Sequence, residues 1–150
     1  NPHSMQLFVL NADPTVGADV HFLNTGVPHA VAFLDKLEGL DISRLGAYLR
    51  YHEAFSPKGT NANFARILSP GHIAIRTYER GVEDETLACG TGMTACALLH
   101  AVLTDAPSPI QVDVAGGDTL KVGFQRTGDR FTDVTLTGPA DLVFTGDIQI

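Results

Sequence analysis

Tyr78-Glu79-Arg80-Gly81-Val82-Glu83-Asp84-Glu85-Thr86-Leu87-Ala88-Cys89-Gly90-Thr91-Gly92-Met93-Thr94-Ala95-Cys96-Ala97-Leu98-Leu99 is the stretch whose reading decides the fold. It reads as a strand end, an acidic turn, a cysteine in a glycine-rich bend, and then an apolar helix. Gly90 and Gly92 permit close backbone approach and positive φ where other residues would be strained. From residue 91 to residue 103 no side chain carries a formal charge. A helix that is apolar on nearly every side is a buried one. At ~1.5 Å per residue it is about 20 Å long, too short to cross a bilayer. Cys89 is thereby placed at the mouth of a central helix.

The first turn of a helix leaves N–H groups unpaired and carries a partial positive charge, so it favours an anion. Two anions fit: a Cys89 thiolate, whose ordinary pKa of ~8.5 falls at such a position, or a ligand carboxylate or phosphate. The alternative is a small buried core cysteine beside an ordinary tight turn. The flanking glycines and the Glu79-Arg80 pair ending the preceding strand favour a site.

Working outward, 150 residues with 44% hydrophobic content suit one globular domain with a sizeable core. No run of 18 apolar residues occurs, and the start, Asn1-Pro2-His3-Ser4-Met5, lacks the features of a signal peptide. Residues 1–4 read as a cloning remnant and residues 5–150 as the folded unit. A net charge of −7 without a basic stripe argues against a nucleic-acid backbone or an anionic membrane as partner. Cys89 and Cys96 are seven apart on one helix, roughly 10 Å along its axis, beyond the reach of a disulfide. Two unpaired thiols fit a reducing, cytoplasmic compartment. No Cys or His spacing matches a zinc site, so no metal is expected.

Residues 6–10 and 20–23 read as short strands separated by the Asn11-Ala12-Asp13-Pro14 turn signal and Gly17. Asn24-Thr25-Gly26-Val27-Pro28-His29 is the next bend, followed by a strand over 30–34. His29 in such a loop is a candidate for function or for a local turn-holding hydrogen bond. Asp41 is a candidate N-cap for a helix to about residue 51, with Ile42, Leu45 and Leu49 on one side. Asn61 ends a polar loop before a strand over 62–68, where it either binds a ligand or bonds the turn. Strands follow over 72–79, 110–114, 119–124, 131–137 and 141–150, with Ala115-Gly116-Gly117-Asp118 as a hairpin turn. The fold class expected is α+β: a mostly antiparallel, barrel-like sheet wrapped around one central buried helix.

Ala88-Cys89-Gly90-Thr91-Gly92, preceded by Glu79-Arg80-Gly81, resembles the C-terminal half of the diaminopimelate epimerase family. The resemblance continues through residues 24–29, the Gly59-Thr60-Asn61 loop and Gly138-Pro139-Ala140, and spans essentially residues 20–150. It implies one lobe of a two-lobed, pyridoxal-independent isomerase without a cofactor, acting on a small diamino acid in lysine and peptidoglycan-precursor synthesis. In that family each lobe sets a cysteine at a helix N-terminus; one removes the α-proton as thiolate and the other donates a proton to the opposite face. The resemblance makes Cys89 the second-lobe cysteine. Gly90 and Thr91 would bind the α-carboxylate, Glu79 and Arg80 would lie on the substrate, with Glu79 also helping to tune protonation as a catalytic group, and Asn61 would hold it. His29 would stand with Glu79 near the other lobe's cysteine.

Departures from the family pattern carry expectations of their own. A first-lobe Cys-Gly-Asn-Gly stretch is missing, and Cys96, buried on the same helix, cannot replace it. The chain alone is therefore expected to be inactive, lacking its N-terminal lobe. Val27 stands where the family often has a substrate-binding Asn, and the turn from Gly81 to Glu85 is one residue longer than the commonest form. Residues 141–150 are expected to present an apolar or edge-strand surface that invites self-association. Proline racemase and the phenazine-biosynthesis isomerases share the two-lobed architecture and are the nearest rivals. A non-catalytic module binding a carboxylate or phosphate is the alternative of another class.

Overall fold

The structure is a computed structural model that describes residues 8–13 and 16–150. Residues 1–4, the first residues of the strand expected at 6–10, and Pro14 lie outside the described residues. The chain runs through β1 (Phe8–Asp13), β2 (Ala18–Asn24), β3 (Pro28–Phe33), α1 (Ile42–Arg50) and a 3₁₀ turn (Glu53–Phe55). It continues with β4 (Asn61–Ser69), β5 (His72–Glu79), β6 (Asp84–Thr86), α2 (Gly90–Thr104), β7 (Ile110–Asp113), β8 (Thr119–Thr127) and β9 (Arg130–Thr137).

All these strands join one sheet in the order β1-β2-β3-β4-β5-β7-β8-β9, with β6 also paired to β5. The pairings are antiparallel except β3 with β4 and β5 with β7. One edge of β5 is shared. Its first residues, from His72 to Ala74, take β7, and its last, from Thr77 to Glu79, take β6. Parallel neighbours need a crossover connection. Here α1 lies on the crossover from β3 to β4, and α2 on the one from β5 to β7.

Strand alternation assigns each face its own core. Ala30, Ala32, Ala62, Phe64 and Tyr78 pack with Ile42, Leu45 and Leu49 of α1. Val31, Ala65, Ile73 and Ile75 pack with Met93, Cys96, Leu98 and Leu99 of α2. The sheet curls around α2, which touches β2, β3, β4, β5, β7, β8 and β9. Nine of its fifteen residues are buried, as its unbroken apolarity requires. Each large side chain buried there contributes roughly 1.5–3 kcal/mol. Among the described residues no helix is long and apolar enough to cross a membrane. The expected α+β lobe is the observed one.

Asp41 caps α1, its carboxylate accepting from the Arg44 amide at 3.2 Å. At Gly46 the helix presses on the Tyr78 ring, leaving no room for a β-carbon.

Four expectations need correction. The turn expected at 11–14 falls later, because β1 extends through Asp13 by an irregularity in its pairing with β2. His29 is not in a loop: parallel pairing with Asn61 draws it into β3. Neither Gly90 nor Gly92 adopts positive φ; both are helical, and Gly92 serves close approach instead. Residues 141–150 form no strand. Among the described residues no backbone pairs with them, and Leu142, Val143, Phe144, Ile148 and Ile150 stand exposed.

Candidate active site at the first turn of α2

The alternation that builds the core also builds the site. His29 shares a sheet face with Val31, Asn63 with Ala65, and Thr77 with Ile73 and Ile75, so all three polar residues belong to the α2 side. In register, Val31 lies opposite Asn63, and Asn63 opposite Thr77. Along these strands the apolar residues receive the body of α2, and the polar ones receive its first turn.

Cys89 is the N-cap of α2, half-buried, with extended backbone and no side-chain capping bond. Its carbonyl accepts from the Met93 amide at 2.8 Å, so the helix begins at Gly90. The amides of that first turn are left for an anion. Cys89 Sγ lies 3.6 Å from Thr91 Oγ1. Thr91 Oγ1 is in turn 2.8 Å from His29 Nε2. The other ring nitrogen, Nδ1, is 3.0 Å from Asn63 Nδ2. Asn63 also donates to the Ala30 carbonyl at 3.1 Å and accepts from the Thr77 hydroxyl at 2.9 Å. The Thr25 hydroxyl donates to the Thr91 carbonyl at 2.9 Å, tying the β2–β3 turn to the helix.

His29 is fully buried, and desolvation lowers its pKa to about 4, with the nearby charge of Arg80 acting in the same direction. The ring is neutral at physiological pH. Cys96, wholly enclosed on the same helix, has its thiol pKa pushed up by burial and by the charge of Cys89. It stands in aliphatic packing, as expected, whereas Cys89 is reachable.

Glu79 is the last residue of β5, on the side of the sheet that Thr77 occupies. Among the described residues it makes no hydrogen bond to His29, whose two nitrogens are taken by Thr91 and Asn63. Asn61 is buried and engaged at both ends of its carboxamide, donating to the Pro28 carbonyl at 3.0 Å and accepting from the Arg80 amide at 2.7 Å. It thereby clamps the start of the turn that carries Arg80. The Arg80 guanidinium donates to the Lys58 carbonyl at 3.1 Å and borders a cavity of about 610 Å³ lined by Asn24, Val27, Pro28, Phe55 and Lys58. Val27 thus lies on a cavity wall, supplying an apolar surface where an Asn would offer a carboxamide.

Cys89, Thr91, Gly90 and His29 therefore come together, Asn61 and Arg80 form an adjoining group, and Glu79 sits at the strand end leading to Arg80. Sequence reasoning missed Asn63, Thr77 and Thr25. The signal for Asn63 was available: an Asn inside an apolar strand, in phase with the buried Ala65, must bond to something it can reach. Among the described residues no group of three His, Cys, Asp or Glu side chains could hold a metal ion.

Residues 21–143 match the family model described as diaminopimelate epimerase. The diaminopimelate epimerase of Chlorobaculum tepidum is 45% identical over 131 residues, covering 87% of this chain and 50% of its own. That of Flavobacterium psychrophilum is 47% identical over 124 residues, covering 82% and 48%. The chain spans about half the length of the curated relatives it matches. In fold it is similar to a solved structure described as a probable proline racemase from Agrobacterium radiobacter K84 with bound carbonate. The TM-score there is 0.58 at 18% identity, covering 91% of this chain and 47% of that one.

Proposed function

This chain belongs to the diaminopimelate epimerase family, and from that premise we propose that it is the second lobe of a cofactor-independent epimerase converting LL- to meso-diaminopimelate. Cys89 exchanges the α-proton on one face of the substrate, and a cysteine of a first lobe serves the other face. The observation that carries this reading is the half-buried Cys89 sulfur at the N-terminus of a buried helix, next to first-turn amides that no described residue engages. As the α-proton leaves, negative charge spreads onto that carboxylate, and donors already in place stabilise it without reorganisation. Positioned acid–base groups contribute ~10²–10⁴-fold, so the remainder must come from carboxylate binding and exclusion of water.

In this reading Gly90 and Thr91 bind the α-carboxylate. Glu79, Arg80 and Asn61 bear on the rest of the substrate, and His29 stands with Glu79 on the side that a first-lobe cysteine approaches. A single thiol supports no two-face exchange, so the 150 residues alone are inactive, and their partner is an N-terminal lobe in a cytoplasmic enzyme of lysine and peptidoglycan-precursor synthesis. The test is α-proton exchange into diaminopimelate in deuterated buffer, with the chain alone and joined to a first lobe bearing a Cys-Gly-x-Gly stretch. Exchange with inversion at the α-carbon only in the joined protein, lost on Cys89→Ala, is expected. Turnover by the chain alone, or persistence after Cys89→Ala, would overturn the reading.

A non-catalytic anion-binding module is the second reading, favoured by the first-turn amides of α2, which no described residue engages. It requires carboxylate binding that survives Cys89→Ala with no exchange in the joined protein.

A further inference from the structure

We propose that Asn63 is a positioning residue for the Cys89 thiol: its carboxamide fixes His29 as the Nε2–H tautomer, which turns the Thr91 hydroxyl proton onto the sulfur. The inference rests on reading Cys89 as the site thiol.

The starting point is the orientation of the Asn63 amide. The Ala30 carbonyl can only accept, so the Asn63 atom 3.1 Å from it must be the NH₂ group. The opposite end of the carboxamide accepts from the Thr77 hydroxyl, which agrees with that choice. The same NH₂ group is 3.0 Å from His29 Nδ1. It has no lone pair to offer a ring proton, so Nδ1 must present its own lone pair. A neutral imidazole carries one N–H, which is then on Nε2. Burial keeps the ring neutral.

From there the donors run one way. Nε2–H donates to Thr91 Oγ1 at 2.8 Å. With that lone pair used, the Thr91 hydroxyl proton is free to point away from the ring, and the Cys89 sulfur is 3.6 Å from Oγ1. A donated proton favours the thiolate, adding to the effect of the helix terminus. In the other tautomer Nε2 would draw the Thr91 proton to itself and leave the sulfur facing oxygen lone pairs. The other titratable groups that bear on this chain of bonds are Arg80, whose charge opposes protonation of His29, and Cys96, a buried thiol farther down α2.

The contact leaves no slack. A β-carbon on Gly92 would stand 2.6 Å from Asn63 Oδ1 and 3.2 Å from His29 Cε1, so the first turn of α2 is seated directly on this pair.

The experiment reads tautomer and thiol reactivity, neither of which depends on catalysis. Nitrogen-15 spectra of the 150-residue chain should give His29 a protonated Nε2 and an unprotonated Nδ1; the reverse assignment would overturn the proposal. Iodoacetamide alkylation at Cys89, followed by peptide mass mapping across pH, gives the thiol profile. Thr91→Val should slow alkylation at neutral pH by about tenfold, through loss of the hydroxyl that faces the sulfur, and Thr91→Ser should restore it. Asn63→Asp, whose carboxylate draws the ring proton to Nδ1, should swap the nitrogen assignments and slow alkylation like Thr91→Val. Unchanged alkylation in Thr91→Val sinks the proposal even if Asn63→Asp fails to fold. An inactive joined enzyme with these outcomes intact would sink only the epimerase reading.

Discussion

Gly92 of α2 lies so close to Asn63 of β4 that a β-carbon on the glycine would stand 2.6 Å from the Asn63 side-chain oxygen. Two effects oppose each other in Gly92→Ala. Alanine is favoured over glycine inside a helix by ~1 kcal/mol. Overpacking a closed interface costs typically 1–3 kcal/mol, and here the obstruction is a buried carboxamide held by three further groups, which cannot rotate away. Packing wins, and Gly92→Ala should destabilise the chain in urea denaturation. Adding Asn63→Ala removes the obstruction, so the double variant should be less damaged than the sum of the two singles. Strict additivity would show that the contact is not the cause.

His29 predicts acid sensitivity of a definite sign. Its folded pKa of about 4 lies below the ordinary value of 6.5. Above pH 6.5 the ring is neutral whether folded or unfolded, and its burial carries no protonation penalty. As pH falls from 6.5 toward 4 the unfolded chain takes up the proton first, so stability is lost across that window and levels off below it. A difference of that size corresponds to something on the order of 3 kcal/mol. His100, also buried with its pKa lowered by desolvation, acts in the same direction. Denaturation at pH 7.5 and pH 5 should show the loss, and His29→Gln should reduce it. A His29 ring that titrates near 6.5 by NMR would contradict this.

Much of this arrangement is legible in the residues. The charge-free run after Cys89 can only be an enclosed helix, and the alternation of Ile73, Ile75 and Thr77 fixes which side of β5 receives it. What cannot be read locally is pairing. His29 follows a proline and a glycine-containing bend, and only its parallel partner Asn61 makes it a strand residue. Asn63 looks like a strand residue of no consequence until register sets it beside Val31 and Thr77. Residues 141–150 have a strand-like pattern, yet nothing in a local sequence says whether an edge is available.

The two thiols should differ in kind as well as degree. Cys89 is half-buried at a helix terminus and Cys96 is fully enclosed, its pKa raised by that burial. Alkylation of the native chain should therefore stop at one equivalent, at Cys89. Modification of Cys96 should follow the unfolding curve as denaturant is added. Two native equivalents would mean that α2 is less enclosed than its packing indicates.

Glu83 holds the turn that ends in Arg80 at its other side. Its carboxylate accepts from the Gly81 amide at 2.7 Å, from Arg50 Nε at 2.9 Å and from the Tyr51 hydroxyl. These partners, the Gly81 amide first, lower its pKa to about 2. That contribution is present above pH 4.5 and is lost as pH falls toward 2. Glu83 also has φ of +60°, a left-handed conformation that favours glycine. Glu83→Ala should lose the bonds and keep the strain, destabilising by about 1–3 kcal/mol. Glu83→Gly should be the milder change by up to about 1 kcal/mol, because it relieves the backbone. Equal losses in chemical denaturation would show that the strain is negligible and the bonds alone matter.

The segment after β9 predicts association. Leu142, Val143 and Phe144 are 84%, 87% and 81% exposed, with Ile148 and Ile150 also uncovered, and among the described residues no backbone pairs with the segment. Large apolar side chains gathered on one unpaired segment gain by burial against another surface, at ~25 cal/mol per Å² of apolar area removed from water. With only this chain in solution, the available surface is a second copy. Light scattering should show mass rising with protein concentration. Leu142→Asp with Phe144→Asp should return the chain to a monomer while leaving its denaturation midpoint unchanged, since neither side chain contributes to a core. A strict monomer at high concentration would defeat the prediction. A monomer reached only with a lowered midpoint would show instead that the segment packs on its own lobe.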